Sequence, residues 1–161
     1  MAMMFDQRDL WLCDDCLFYA VNDDLSGIDY YLSGKEAEKR AAEVRKGVHS
    51  LGRNLVPDFD SETGEGIEEF SSHRCDACGT RLAGGRHRFA TLRPATRSEE
   101  RKFSEMKALL KKHGYEPDYA IAVDLLEEGV EPDELRTALE RGSFEGKYEL
   151  ALERGRRRRS G

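Results

Sequence analysis

The stretches WLCDDCLFYAV (residues 11–21) and CDACGTRL (residues 75–82) decide how this chain is read, because they hold all four of its cysteines. Cys13 and Cys16 form one Cys-x-x-Cys pair, and Cys75 and Cys78 form the other. Two intervening residues let a chain turn through a tight knuckle that presents both sulfurs to one tetrahedral ion, and two knuckles supply four ligands. Gly79, directly after the second pair, tolerates the positive φ such a knuckle needs. Leu82 is placed to cap the site from its apolar side. The expectation is one structural zinc ion held by Cys13, Cys16, Cys75 and Cys78, with the coordination sphere filled and no position left for water or substrate. The spacer between Cys16 and Cys75 is 58 residues, longer than common zinc ribbons use. A thioredoxin-like dithiol is the rival reading, but no βαβ pattern surrounds either pair. His73 and His87 flank the second pair and read as neighbours of the site rather than ligands, because four thiolates already suffice.

Outward from the cysteines, aromatic and β-branched residues around the first pair suit a short hairpin or a knuckle leading into another element. A helix is expected over residues 33–52, inserted between the two pairs. Ser33 and Glu36 stand as a capping box, Gly52 ends it, and Ala37, Ala41, Val44, Val48 and Leu51 make one apolar stripe. Its other face is Lys, Arg and Glu. Residues 54–72 read as loop and short extended pieces anchored by Val56, Phe59, Ile67 and Phe70. The alternation after the second pair places His87, Phe89 and Thr91 on one face of a strand.

Pro94 ends that strand, and the character of the chain changes near residue 95. Thr96 and Glu99 make a second capping box ahead of Phe103, Met106, Leu109 and Leu110, closed by His113 and Gly114. Pro117 and Pro132 open two further helices, and a last one is expected over residues 144–153. The fold class is therefore α+β. A zinc-ribbon-like β portion with an inserted helix spans 1–95, a helical portion of three to four short helices spans 96–154, and a disordered arginine-rich tail spans 155–161.

Composition limits the function classes. Charged residues make up 36% of the 161 and mean hydropathy is −0.71, so apolar material for a core is scarce and a crosslinking metal relieves the shortage. No apolar run approaches the ~20 residues of a membrane span. The N-terminus lacks the basic-then-apolar pattern of a secretory signal, so a cytoplasmic, reducing location is expected, where paired cysteines bind metal rather than form disulfides. Residues 1–95 carry 17 acidic and 12 basic side chains, net −5, and residues 96–153 carry 15 and 9, net −6. The last eight residues hold five arginines. The body is acidic and the tail basic.

The stretch GRNLVPDFDSETGEGIEEFSSHRCDACGTRLAGGRHRFATL (residues 52–92) resembles small zinc-ribbon-like proteins encoded by tailed bacteriophages and mobile elements. The likeness rests on Glu69-Phe70-Ser71, Cys75-x-x-Cys78-Gly79, Leu82-Ala83-Gly84 and Arg86-His87, and with the first cysteine pair it covers about residues 10–93. It implies a zinc-stabilised fold and a phage origin, and it brings no activity.

Three readings of function follow. The first is a non-enzymatic protein-interaction module, acting on a host protein if the chain is phage-encoded. An acidic surface suits a partner protein with a basic or apolar face. The second is nucleic-acid binding through the basic stretch 74–93, with Arg81, Arg86 and Arg88, together with Arg156, Arg157, Arg158 and Arg159 of the tail. The acidic body opposes it. The third, an enzyme, is not expected. No Walker-type glycine loop, Gly-x-Ser-x-Gly elbow or His-Glu-x-x-His motif occurs, and Asp58, Asp60 and Glu62 read as solvent-facing loop carboxylates.

Overall fold

The computed structural model describes residues 1–115 and 119–141. The fold is α+β, and among the described residues it comprises a small antiparallel sheet of four strands with five helices. The chain divides into two compact units. One is Phe5–Arg93, and the other joins Met1–Met4 to the described residues from Pro94 onward.

In the cysteine-bearing unit the order is strand β1 (Met3–Cys13), helix α1 (Asp14–Asn22), a 3-10 turn (Ser26–Tyr30) and helix α2 (Gly34–Ser50). Strands β2 (Leu55–Pro57), β3 (Ile67–Ser71) and β4 (Gly84–Pro94) follow. The sheet order is β1-β4-β2, and β3 also pairs with β4. β2 and β3 take successive stretches of β4, with Val56 opposite Ala90 and Ile67 opposite His87. Buried Phe89 and Thr91, with half-buried His87, hold the alternating face expected of β4.

The core of this unit is built around the cysteines. Leu10, Leu12, Ile28, Val44 and Phe89 pack with Cys13, Cys16 and Cys75 in one cluster. α2 contributes Ala37, Arg40, Val44, Gly47 and Val48 as its buried stripe, at helical spacings of three and four. Ala41 and Leu51 pack at the margin of the cluster. The capping box expected at Ser33 does not form, since Ser33 is the N-cap but accepts no side-chain hydrogen bond. The residue that follows it, Gly34, stands at φ +56, outside the helical region that a capping box continues into. Phe70, expected as an anchor, is 81% exposed. It lies on β3, whose register is interrupted between Glu68 and Ser71, and that irregularity re-aims the side chain outward.

The second unit holds α3 (Arg97–Lys112), α4 (Tyr119–Glu127) and α5 (Pro132–Glu140). Met106, Leu109, Leu110, Leu125, Val130 and Leu135 are among its buried core. Thr96 caps α3 with a complete box, its backbone N–H donating to Glu99 Oε2 at 2.7 Å and the Glu99 N–H donating to Thr96 Oγ1 at 3.3 Å. Pro132 opens α5 as expected. The helix expected over 144–153 and the arginine tail lie outside the described residues.

The two Ser/Thr-x-x-Glu sequences therefore separate by experiment. Thr96→Ala removes a made cap and should cost about 1 kcal/mol in urea unfolding. Ser33→Ala removes none and should stay within about 0.5 kcal/mol. Equal losses would contradict the capping geometry.

Candidate metal centre

β1 delivers Cys13 as its last residue, and the chain turns there directly into α1, with Cys13 as N-cap and Cys16 in the first turn. The hairpin or knuckle expected at this pair is instead a strand-to-helix junction. Asp14 and Asp15 in the first turn favour a helix start through its dipole. That preference overrides the strand-like look of the aromatic residues that follow.

The second pair is the tight knuckle its sequence predicts. The Cys75 N–H donates to Thr80 O at 2.9 Å, the Gly79 N–H donates to Cys75 O at 2.9 Å, and Gly79 sits at φ +78. Asp76 ties this knuckle to β1. Its N–H donates to Trp11 O at 2.9 Å, and its Oδ2 accepts from the Trp11 N–H at 2.7 Å. The Cys13 N–H donates to Cys75 Sγ at 3.3 Å.

The sulfurs of Cys13, Cys16, Cys75 and Cys78 all lie within 4.8 Å of one another, and Cys13 and Cys78 are 3.7 Å apart. Four sulfurs in a tetrahedron around an ion at ~2.3 Å stand roughly 3.8 Å from each other. The four cysteines fit a structural metal site. They are free of disulfides, and only Cys78 is more than marginally exposed. Hydrogen bonds with Cys13 and then Cys16 hold the Cys75 thiol down to about 6. The same two partners, then Cys75, push Cys78 below the ordinary thiol range. Cys16 moves upward, because its bonds with Cys13, Cys75 and Cys78 favour its neutral form and burial adds to them. A bound cation lets all four ionise together.

α2, the helix between the two pairs, closes the centre. Arg40 is 9% exposed, although its sequence places it among solvent-facing charges. Its Nη1 donates to Cys78 Sγ at 3.2 Å and its Nη2 to Cys13 Sγ at 3.4 Å. Nε and Nη2 also reach Asp15 Oδ2 at 2.9 and 2.8 Å, and the Tyr31 hydroxyl donates to the same oxygen at 2.6 Å. Burial, then the bond to Asp15, pushes the Tyr31 phenol up to about 12. Two turns along the same face, Gly47 lies flat on the second knuckle. A Cβ there would stand 2.5 Å from the Ala77 carbonyl carbon and oxygen and 2.8 Å from the Cys78 nitrogen. Reading the sequence for apolar periodicity missed both residues. The signal that could have found them is their spacing of seven, which puts a cation and the one helix-interior residue without a side chain on the apolar stripe.

The remaining candidates fall elsewhere. His73 is exposed and pairs with Glu68 at 3.5 Å, and His87 Nε2 pairs with Asp14 Oδ1 at 2.8 Å. Neither joins the sulfur group. Leu82, expected as an apolar cap, is 71% exposed, because the chain leaves the knuckle outward before β4 begins. Arg86, expected on a basic patch, is 1% exposed and donates to the carbonyls of His73, Leu82 and Gly85, so its guanidinium fastens the chain around the second knuckle. Arg88 donates to Asp58 and Glu65, and Asp58 also pairs with Arg8. Asp60 accepts from the Glu62 and Thr63 N–H groups in a turn. Arg81 is exposed, and Arg156, Arg157, Arg158 and Arg159 lie outside the described residues.

A cleft of about 510 Å³ opens beside the centre, with Asp14, Asp15, Phe18, Tyr31, Arg40 and Leu82 in its lining. Phe18, Tyr31 and Leu82 are at least half exposed there. No helix among the described residues is long and apolar enough to cross a membrane. Compared with protein-family models, curated proteins and solved structures, the chain finds no match.

Gly47→Ala tests the close approach of α2. In an open helix the change would stabilise by roughly 0.5–1 kcal/mol. Here it should destabilise by about 1–3 kcal/mol, because backbone rather than a movable side chain blocks the added carbon. A raised melting temperature would show that α2 does not rest on the knuckle.

Proposed function

We propose that this chain is a zinc-stapled, non-enzymatic protein-interaction module, and that the cleft beside the metal centre is its docking face. The observation that carries the reading is the position of Phe18, Tyr31 and Leu82, apolar side chains left exposed around a cleft in a protein short of apolar material. Zinc is the ion assigned, because four cysteine sulfurs at tetrahedral spacing suit a closed structural site. A filled sphere leaves the metal no open position, so it holds shape rather than activates water.

The partner is a protein segment that inserts an apolar side chain and carries Lys or Arg beside it. Asp15 is taken up by Arg40 and Tyr31, while Asp14, which pairs with His87, stays half exposed in the cleft. That carboxylate supports the chemistry, as does the net charge near −11 of residues 1–153, from −5 and −6. A divalent ion under four thiolates adds net negative charge next to it. The same field works against a phosphate backbone. Of the arginines expected on a nucleic-acid face, Arg86 is buried and Arg88 is engaged by Asp58 and Glu65, which favours the protein reading. If residues 10–93 share the phage origin their sequence resembles, the partner is a host protein.

The test is affinity capture from nuclease-treated bacterial lysate with the intact chain and with Phe18→Ser and Leu82→Ser variants. A protein retained by the intact chain should be lost or reduced at least tenfold by each variant, while zinc content stays at one per chain. Retention unchanged by both variants would remove the cleft from the account. Retention of random DNA with a salt slope of several phosphate contacts would replace it with the nucleic-acid reading.

A further inference from the structure

Arg40 stands in an arrangement that packing alone does not require. An arginine on the buried stripe of a helix is costly unless its donors are used. An ion pair with Asp15 would satisfy Nε and one terminal nitrogen, and such a pair is present. The guanidinium nevertheless turns its outer edge to the sulfurs and touches one cysteine of each pair, Cys78 through Nη1 and Cys13 through Nη2. Those two sulfurs are 3.7 Å apart, a span that the two terminal nitrogens of one guanidinium bridge side by side. Asp15 fixes the other edge of the guanidinium, and Tyr31 fixes Asp15. Three residues from α1, the turn after the 3-10 segment and α2 thus converge to hold one cation against two sulfurs.

Charge explains what the arrangement does. A divalent ion with four thiolates carries −2, and in the core of this unit, with Cys16 and Cys75 fully buried, that charge is poorly solvated. The backbone N–H of Cys13 on Cys75 brings a dipole only. Arg40 brings a full positive charge and two N–H donors, and it bridges the two cysteine pairs that the metal must join. We propose that Arg40 is the charge-compensating and positioning residue of the metal centre, oriented by Asp15 and Tyr31, and that it sets how tightly the centre holds its divalent ion. This rests on the metal-centre reading above and goes beyond it, since four sulfurs alone would satisfy that reading.

The experiment uses the full-length chain loaded with cobalt(II), whose sulfur-to-metal charge-transfer band reports the electron density on the sulfurs, and competition with a chromophoric chelator. Arg40→Gln should lower cobalt affinity by about 10–100-fold, the range for residues that orient metal ligands. It should also shift the charge-transfer band to lower energy, because sulfurs without N–H donors give up electrons more readily. Arg40→Lys should recover part of the affinity, as a point charge that cannot bridge both sulfurs. Asp15→Asn, which keeps the guanidinium and loosens its anchor, should lie between wild type and Arg40→Gln, and it serves as the test if Arg40→Gln does not fold. A purely structural arginine would lower the melting temperature and leave the band where it is. Wild-type affinity and an unmoved band in Arg40→Gln, or in Asp15→Asn if only that folds, would overturn the proposal while leaving the metal centre standing. A wild-type chain that takes up no cobalt would overturn both.

Discussion

The constraint on which this structure depends is the meeting of four sulfurs from places 58 residues apart at one point. A chain of this polarity has little else to hold its ends together. Joining segments across a loop of that length removes on the order of 4 kcal/mol of unfolded-state entropy if a metal crosslink behaves as a disulfide does. That is comparable to what a small core supplies by itself. The sheet, the strand-to-helix turn at Cys13 and the knuckle at Cys75 all serve to bring those atoms within 4.8 Å. The hydrogen bonds between Trp11 and Asp76 register the two segments, so the sulfurs are aligned by backbone as well as by any ion.

Helix α2 changes what the spacer means. As sequence it is an insertion between two halves of a metal site. As structure it is the lid and the counter-charge, with Gly47 laid on Ala77 and Arg40 on Cys13 and Cys78. The charged cluster continues through Asp15 and Tyr31 into the lining of the cleft. Metal centre and cleft are therefore built from shared residues, and what stabilises one shapes the other.

Much of this was legible beforehand, and the exceptions have physical causes. The four cysteines announced the site because thiol pairs at that spacing have few other uses. The extent of α2 and the Thr96–Glu99 cap were readable because local chemistry decides them. α1 was misread because Leu17, Phe18, Tyr19 and Val21 suit a strand locally, while acidic residues at the helix start and packing on α2 settle the matter. Arg40 was read as part of a charged outer face and Arg86 as part of a basic patch, because a sequence does not show where donors are spent. One faces sulfurs, and the other faces three backbone carbonyls. Phe70 was read as a loop anchor and Leu82 as an apolar cap of the site because they are apolar, yet a strand irregularity and an outward loop leave them exposed. Errors of that kind come from tertiary context, and one of them, Leu82, marks the proposed docking face.

The most direct measurement is X-ray absorption at the metal edge of the purified chain, together with its metal-to-protein ratio. The account predicts one zinc per chain with four sulfur neighbours at ~2.3 Å and no nitrogen or oxygen in the first sphere. A sphere containing histidine nitrogen or water, two ions per chain, or a metal-free protein with its cysteines joined as disulfides would contradict it.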